Sequence, residues 1–265
     1  MSSSKKHPYH LVDPSPWPLI SSLSIFVLAV GAVLLMHHID WWVFAIGIIL
    51  LIACALGWWL DVIKESNQPG VHTPPVQQGL KIGMALFIAS EVMLFVAFFW
   101  GYFHSSLNLA GHIAFQWPPK GIIPFDPMQL PYLNTLILLL SGTAITWAHH
   151  EMLKGNFSKV TQALIITVGL GLIFSMVQIV EYAHAAFGLK DGIYPSNFFM
   201  ATGFHGAHVF IGTIFLFVCL LRNIRREFQP NHHVGFEAAA WYWHFVDVVW
   251  LLLFVAIYWN SYSAK

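Results

Sequence analysis

The sequence predicts an all-α membrane protein with seven transmembrane helices. Of its 265 residues, 57% are hydrophobic and only 9% are charged, whereas a soluble domain has about 45–50% apolar and about 25% charged residues. A bilayer core of about 30 Å needs roughly 20 apolar residues of helix, and seven runs of that length follow one another along the chain. Only a helix satisfies the backbone hydrogen bonds of an open chain in hydrocarbon, so each run is predicted to be helical.

Polar residues, proline or glycine bound each apolar run. The predicted spans are 17–36, 41–63, 82–103, 132–153, 157–184, 198–221 and 236–259, within a single membrane domain over 1–265. The first run is longer than the apolar core of a signal peptide and has no small-residue cleavage site after it, so we expect it to remain as a membrane helix. The two longest connections are an outer loop at 104–131 and a proline-containing turn segment at 64–81.

Cationic side chains are divided unevenly between the two sides of the membrane. On the side of the N-terminus lie Lys5, Lys6, Lys64, Lys81, Lys154, Lys159, Arg222, Arg225 and Arg226. The remaining cations are Lys120, Lys190 and Lys265. Since cytoplasmic or matrix-side loops carry the excess of positive charge, the N-terminus is predicted to be inside and the C-terminus outside. We expect a bacterial plasma membrane because no import signal is recognisable, with the mitochondrial inner membrane as the alternative.

Charge and motif content exclude several classes of function. The formal net charge is zero, so no basic surface for nucleic acid is expected. Cys54 and Cys219 are far apart in apolar runs, which predicts neither a disulfide framework nor a zinc motif. No phosphate-binding loop, nucleophile elbow or dinucleotide fingerprint is present. No proline interrupts the interior of a span, so the broken helices typical of transporters are not indicated.

Glu91 is the ionisable residue that lies deepest in a predicted span. A charged side chain near the bilayer centre costs about 2.5–3.5 kcal/mol on insertion scales, so such a residue is a functional hypothesis by default. Its sequence neighbours are apolar, which favours the neutral, protonated carboxyl. Two interpretations stay open: a carboxyl that exchanges protons, and a structural carboxyl bonded to a neighbouring helix.

Helices 6 and 7 each carry two polar residues at i, i+3 spacing, which places them on one helix face. The pairs are His205 with His208 and His244 with Asp247. Such imidazoles are able to bind a haem or a metal, but hydrogen bonds between helices are the favoured, structural interpretation. The alternative function is a redox membrane protein with haem or metal bound by these histidines and Glu181; a solute carrier is a further alternative. Glu181 and His184 supply only one Glu-x-x-His motif, where a di-iron site needs two.

Sequence blocks across nearly the whole chain carry a family resemblance. They are 14–18, 72–74, 90–92, 99–107, 117–119, 133–135, 146–150 and 231–233, with FFMATGFHGAHV at 198–209 and GFEAAAWYWHFVDVVWL at 235–251. In these blocks the sequence resembles subunit III of the haem–copper cytochrome c oxidases. The quinol-oxidase relative of this subunit has five spans, whereas seven are predicted here.

The resemblance implies an accessory subunit of a proton-pumping, aa3-type oxidase that passes electrons from cytochrome c to oxygen. It implies no redox centre in this chain, with haem a, haem a3 and copper in the partner subunits I and II, of which subunit I is the main contact. Helices 1–2 and helices 3–7 are expected to form two units separated by a V-shaped cleft that holds phospholipid. Stabilisation of the catalytic subunit, proton uptake and oxygen access are the implied roles.

The resemblance also implies roles for individual residues, none of them catalytic and none a metal ligand. Glu91 corresponds to the buried carboxyl of the family, and His7 and His10 are candidates for proton collection. His205, His208 and His244 become structural residues. The expected lipid-binding positions are Trp59, Glu65, His72, Phe87, Arg222 and Arg226.

Overall fold

The computed structural model describes residues 7–68, 70–107 and 116–263, and within these residues the chain is helical without a β-strand. The helices are α1 (Trp17–Met36), α2 (Trp42–Ser66), α3 (Pro74–Leu107), α4 (Leu130–Leu153), α5 (Phe157–Ala183), α6 (Ile193–Ile224) and α7 (Val234–Leu253). After α7 the chain continues as a π-helical segment, Phe254–Trp259, and a last helical turn, Asn260–Ser263.

Seven helices in this described part of the chain are long and apolar enough to cross a membrane, which confirms the predicted fold class. Lys5, Lys6 and Lys265, on which part of the predicted orientation rests, lie outside the described residues. So do residues 108–115 of the predicted outer loop.

The connection between α2 and α3 is shorter than the predicted segment 64–81. Helix α2 reaches Ser66 and α3 begins at Pro74, so that Lys81 is already inside α3. Proline was read as the mark of a turn, but its missing N–H costs nothing in the first turn of a helix, where that group has no intrahelical partner. Pro195 stands in the first turn of α6 in the same way, and α6 begins five residues before the predicted 198.

The chain forms two compact units, the first ending at Leu80 and the second beginning at Lys81. In the first unit α1 and α2 pack against each other through close backbone approach. A Cβ at Gly31 would collide with the backbone of Phe44, and one at Gly47 would collide with that of Leu28. Small residues at such positions allow helices in lipid to reach van der Waals contact.

Polar contacts in the first unit are concentrated at one end of its helix pair. The Trp17 indole donates a hydrogen bond to Asp61 Oδ2 at 2.7 Å, and Lys64 lies 3.1 Å from the other carboxylate oxygen. The Ser21 hydroxyl and the Cys54 thiol are 3.1 Å apart between the helices. The remaining surface of α1 and α2 is mostly apolar and exposed, as expected of helices that face lipid.

In the second unit the core lies among α4, α5, α6 and α7 and is rich in aromatic rings. Two fully buried indoles cross from α7 to hydroxyl groups of α4. Trp243 donates to Ser141 Oγ and Trp250 donates to Thr135 Oγ1, each at 2.9 Å. Because a buried indole N–H needs an acceptor, these bonds fix the register of α7 against α4.

The part of α3 in the second unit is held by side chains and has little of its surface buried. Tyr102 is fully buried and its hydroxyl is 2.7 Å from that of Ser261. The Trp117 indole, between α3 and α4, donates to the Tyr102 hydroxyl at 3.3 Å. At the other end, Lys81 pairs with Glu237 of α7 at 2.5 Å. Polar contacts thus hold α3 near both ends of its part in the second unit.

Candidate functional site

Glu91 of α3 is hydrogen-bonded to His208 of α6. The distance between Glu91 Oε2 and His208 Nε2 is 2.9 Å, and His208 Nδ1 is 2.6 Å from the carbonyl oxygen of Phe204. A carbonyl only accepts, so Nδ1 carries a hydrogen and donates it. Sequence analysis predicted both polar residues separately, but not that they meet.

This geometry determines how many protons the pair holds. With Nδ1 protonated, the contact between Nε2 and the carboxyl needs one further proton, either on Glu91 or on the imidazole. The pair is therefore either a neutral acid on a neutral imidazole or a carboxylate beside an imidazolium. The net charge is zero in both forms, so the proton can change sides without a change in the charge of the site.

Aromatic rings enclose the imidazole, while the carboxyl remains partly open. The His208 ring centroid lies 5.0 Å from that of Phe95 and 6.3 Å from that of Tyr242. The side chain of Glu91 keeps 21% of its surface exposed, against 10% for His208. Because α3 is little buried, the carboxyl is accessible from the surface of this unit.

His205 lies one turn before His208 and is almost completely buried. Its Nε2 is 3.1 Å from the carbonyl oxygen of Val246 in α7, and its ring lies 5.2 Å from that of Trp250. One nitrogen of His205 and both nitrogens of His208 are thus engaged by the protein. This arrangement supports the structural role of both histidines and does not bring them together on a shared ligand.

His244 and Asp247 of α7 face α4. His244 Nε2 is 3.2 Å from Thr146 Oγ1, and Nδ1 is 3.6 Å from an Asp247 oxygen, longer than a hydrogen bond. Asp247 is buried directly against Gly142, where a Cβ would collide with its carboxyl group. The predicted i, i+3 relation is present, and both residues serve the contact between α7 and α4.

Glu181 is fully buried in a network that sequence analysis did not predict. Tyr258 donates to Glu181 Oε1 at 2.6 Å and Gln178 donates to the same oxygen at 3.3 Å. Tyr258 belongs to the π-helical segment that follows α7. His184 is exposed and its Nδ1 is 2.8 Å from its own helix, at Val180 O. The side chains of Glu181 and His184 therefore do not point to a common site.

A second missed group lies at the ends of α4 and α7. His149, His233 and Glu237 place one potential ligand atom each within 4.8 Å of the others. Sequence analysis left His149, His233 and Glu237 in family blocks without a role and did not predict that they meet. The available signal was the i, i+4 spacing of His233 and Glu237 at the start of a helix.

Three of the predicted lipid-binding residues lie in the first unit. Trp59, on α2, has 61% of its surface exposed, and Glu65 stands one residue before the end of the same helix. His72 lies in the segment between α2 and α3, with its ring centroid 6.1 Å from that of His10. His7 is exposed next to Tyr9. The candidate proton collector His10 is thus close to a candidate lipid residue.

The other three lie in the second unit. Phe87 of α3 is half exposed and stacks on Tyr242. Arg222 Nε donates to Glu227 at 2.9 Å, with its guanidinium over the Phe228 ring. Arg226 is exposed at the end of α6.

The fold and these groups define a multi-pass helical membrane protein with hydrogen-bonded polar pairs among its helices. Comparison with known proteins agrees with this class and is more specific. The family model described as cytochrome c oxidase subunit III matches residues 7–262.

Curated relatives align over nearly their whole length. Cytochrome c oxidase subunit 3 of Marchantia polymorpha is 55% identical over 98% of both chains. The Drosophila melanogaster protein of the same name is 54% identical, over 98% of this chain and 99% of its own. That of Dugong dugon is 53% identical, over 96% and 97%. The chain belongs to the cytochrome c oxidase subunit III family, which confirms the resemblance and the predicted class of accessory oxidase subunit.

Proposed function

We propose that this chain supports an aa3-type, proton-pumping cytochrome c oxidase by holding lipid, stabilising the catalytic subunit, and aiding proton uptake and oxygen access. It does so without a redox centre of its own. Haem a, haem a3 and copper belong to partner subunits I and II, with subunit I as the main contact. Family membership supports the assembly, and the engaged nitrogens of His205 and His208 argue against a haem held by these histidines.

The Glu91–His208 pair is the observation that carries the active part of this proposal. It holds one proton that can lie on either residue at constant net charge, and its carboxyl is partly open on the surface of α3. A group of this kind is suited to exchange protons, or to respond to charge, at the surface offered to a partner.

Lipid binding rests on a different set of residues. Trp59 offers an exposed indole, and Arg226 offers an exposed guanidinium able to form paired hydrogen bonds with phosphate oxygens. Lipid tails dissolve oxygen better than water does, so bound lipid would also provide a path for oxygen. Glu65, His72, Phe87 and Arg222 complete the proposed lipid-contacting set.

The proposed membrane is the plasma membrane of a bacterium or the inner membrane of a mitochondrion, with the N-terminus on the cytoplasmic or matrix side. The distribution of cations supports this orientation.

Substitution Glu91→Gln in the assembled oxidase tests the proposal. The amide keeps the size of the side chain and can still donate to His208 Nε2, but it cannot release a proton. We expect slower proton uptake, altered oxygen affinity or fewer turnovers before inactivation. Ser90→Ala is the matched control, because Ser90 is the adjacent residue and its hydroxyl donates within its own helix, to Phe87 O. Equal behaviour of Glu91→Gln and the native enzyme in all three measurements would remove the active role.

A further inference from the structure

We infer that His149, His233 and Glu237 form a binding site for a divalent transition-metal ion of the Zn²⁺ type. Imidazole nitrogen and carboxylate oxygen are ligands that zinc accepts, and three protein ligands leave a fourth position for water. The site is separate from the Glu91–His208 pair and needs no redox chemistry.

The two ligands on α7 already have the spacing that one ion requires. His233 Nε2 and Glu237 Oε1 are 3.2 Å apart. Two ligands of a tetrahedral zinc, each about 2.1 Å from the metal, lie about 3.4 Å apart. His233 precedes the first residue of α7 and Glu237 is in its first turn, so the helix start holds the two side chains side by side.

His233 has a buried nitrogen that the described protein atoms do not satisfy. The residue is 5% exposed, and its Nδ1 is 3.0 Å from the carbonyl oxygen of Gln229, so Nδ1 carries the hydrogen. Nε2 has no hydrogen-bond partner among the described residues, although it lies near the Glu237 carboxylate. A lone pair facing a carboxylate is unfavourable unless a proton or a metal ion lies between them, and the spacing of the two atoms fits either. The bond to Gln229 is also the second contact that usually fixes the ring of a metal-bound histidine.

His149 supplies the third ligand from the last turns of α4. Its ring centroid is 5.9 Å from that of His233, and its ligand atom is within 4.8 Å of the other two. Metal binding requires this partly buried side chain to move closer to the other two ligands.

The ammonium group of Lys81 competes with a metal ion for the Glu237 carboxylate. Its ammonium lies 2.5 Å from Glu237 Oε2, so the carboxylate retains Oε1 for an ion but shares its charge with a lysine. Lys81 should therefore weaken metal binding without occupying the position between the two ligands.

Zinc binding to the assembled oxidase tests this site. Native enzyme and variants are dialysed against buffered free Zn²⁺ and their bound zinc is measured by elemental analysis. The native enzyme should bind one equivalent more than the double variant His149→Ala, His233→Ala. His233→Ala alone should weaken this equivalent by about a hundredfold or more, since even outer-shell changes cost 10–100-fold. Lys81→Met should strengthen zinc binding at this site, whereas the loss of a ligand should weaken it.

The control is His150→Ala, which removes the adjacent, exposed histidine that is not in the group. This variant should bind as much zinc as the native enzyme. If the double variant fails to assemble, Glu237→Gln removes the carboxylate at nearly constant size and should lose the same equivalent. Equal zinc content in the native enzyme and these variants, or an equal loss in His150→Ala, would overturn the assignment.

Discussion

The two units of this chain use different means to hold helices together in lipid. In the first, α1 and α2 approach until backbone meets backbone at Gly31 and Gly47. In the second, large aromatic side chains fill the spaces between helices, and indole groups such as Trp243 reach a hydroxyl on the facing helix. Lipid is as apolar as leucine, so hydrophobicity alone does not select the neighbour of a helix, and close fit or hydrogen bonds must do so.

This difference also determines where titratable groups are found. The second unit contains Glu91, Glu181, Asp247 and the histidines of α6 along its spans, each near a polar partner. In the first unit the ionisable residues of α1 and α2 lie at helix ends, as with Asp61 and Lys64. The second unit therefore places titratable groups among its helices, whereas α1 and α2 place their charged groups near one end of the helix pair.

The largest effect is expected from Trp243→Ala, which breaks the aromatic packing of the second unit. The side chain is fully buried, so its loss leaves a cavity and removes the hydrogen bond that Ser141 Oγ accepts, while the Ser141 hydroxyl still donates to Leu138 O. We expect a loss of about 3–5 kcal/mol in the free energy of unfolding. The measurement is SDS titration of the full chain in mild detergent, followed by far-UV circular dichroism. Trp100→Ala, at an indole that is 74% exposed, should unfold like the native chain; similar losses for both variants would contradict this account of the core.

A smaller effect is expected from Gly31→Ala, which disturbs the contact between α1 and α2 in the first unit. The new Cβ meets the backbone of Phe44, and backbone cannot move aside unless the helices separate. We expect a cost of about 1–3 kcal/mol to the packing of α1 on α2. The contact is measured in an S21C background, because position 21 faces Cys54 and a disulfide between the two positions reports their proximity.

In this assay Gly31→Ala should slow formation of the disulfide. The control is Gly169→Ala, where a Cβ has no neighbour within 4 Å and the rate should be unchanged. An unchanged rate in Gly31→Ala as well would show that the backbone contact does not hold the pair.

The sequence predicted features that depend on local pattern. Apolar run length predicted α1 with the bounds that the structure has, and the mid-span position of Glu91 marked it as a candidate functional residue. The start of α3 was wrong because proline at the first helical turn looks, in sequence, like proline in a loop.

Contacts between distant segments could not be predicted in this way. Glu91 and His208 are 117 residues apart, and no periodicity within one helix indicates which face of another it will meet. For His184 the sequence suggested a shared site that the structure does not form. The i, i+3 spacing from Glu181 places both residues on one face only in a continuous helix. Helix α5 ends at Ala183, and His184 Nδ1 lies close to the carbonyl oxygen of Val180 in that helix.

The central claim is that this chain supports the redox chemistry of its partners and carries no electron-transfer centre itself. It is tested most directly by the optical spectrum and the iron and copper content of the oxidase before and after this chain is removed. The account predicts that all haem and copper stay with the partner subunits and that the separated chain has no visible absorption. Stoichiometric haem, iron or copper in the separated chain would contradict it.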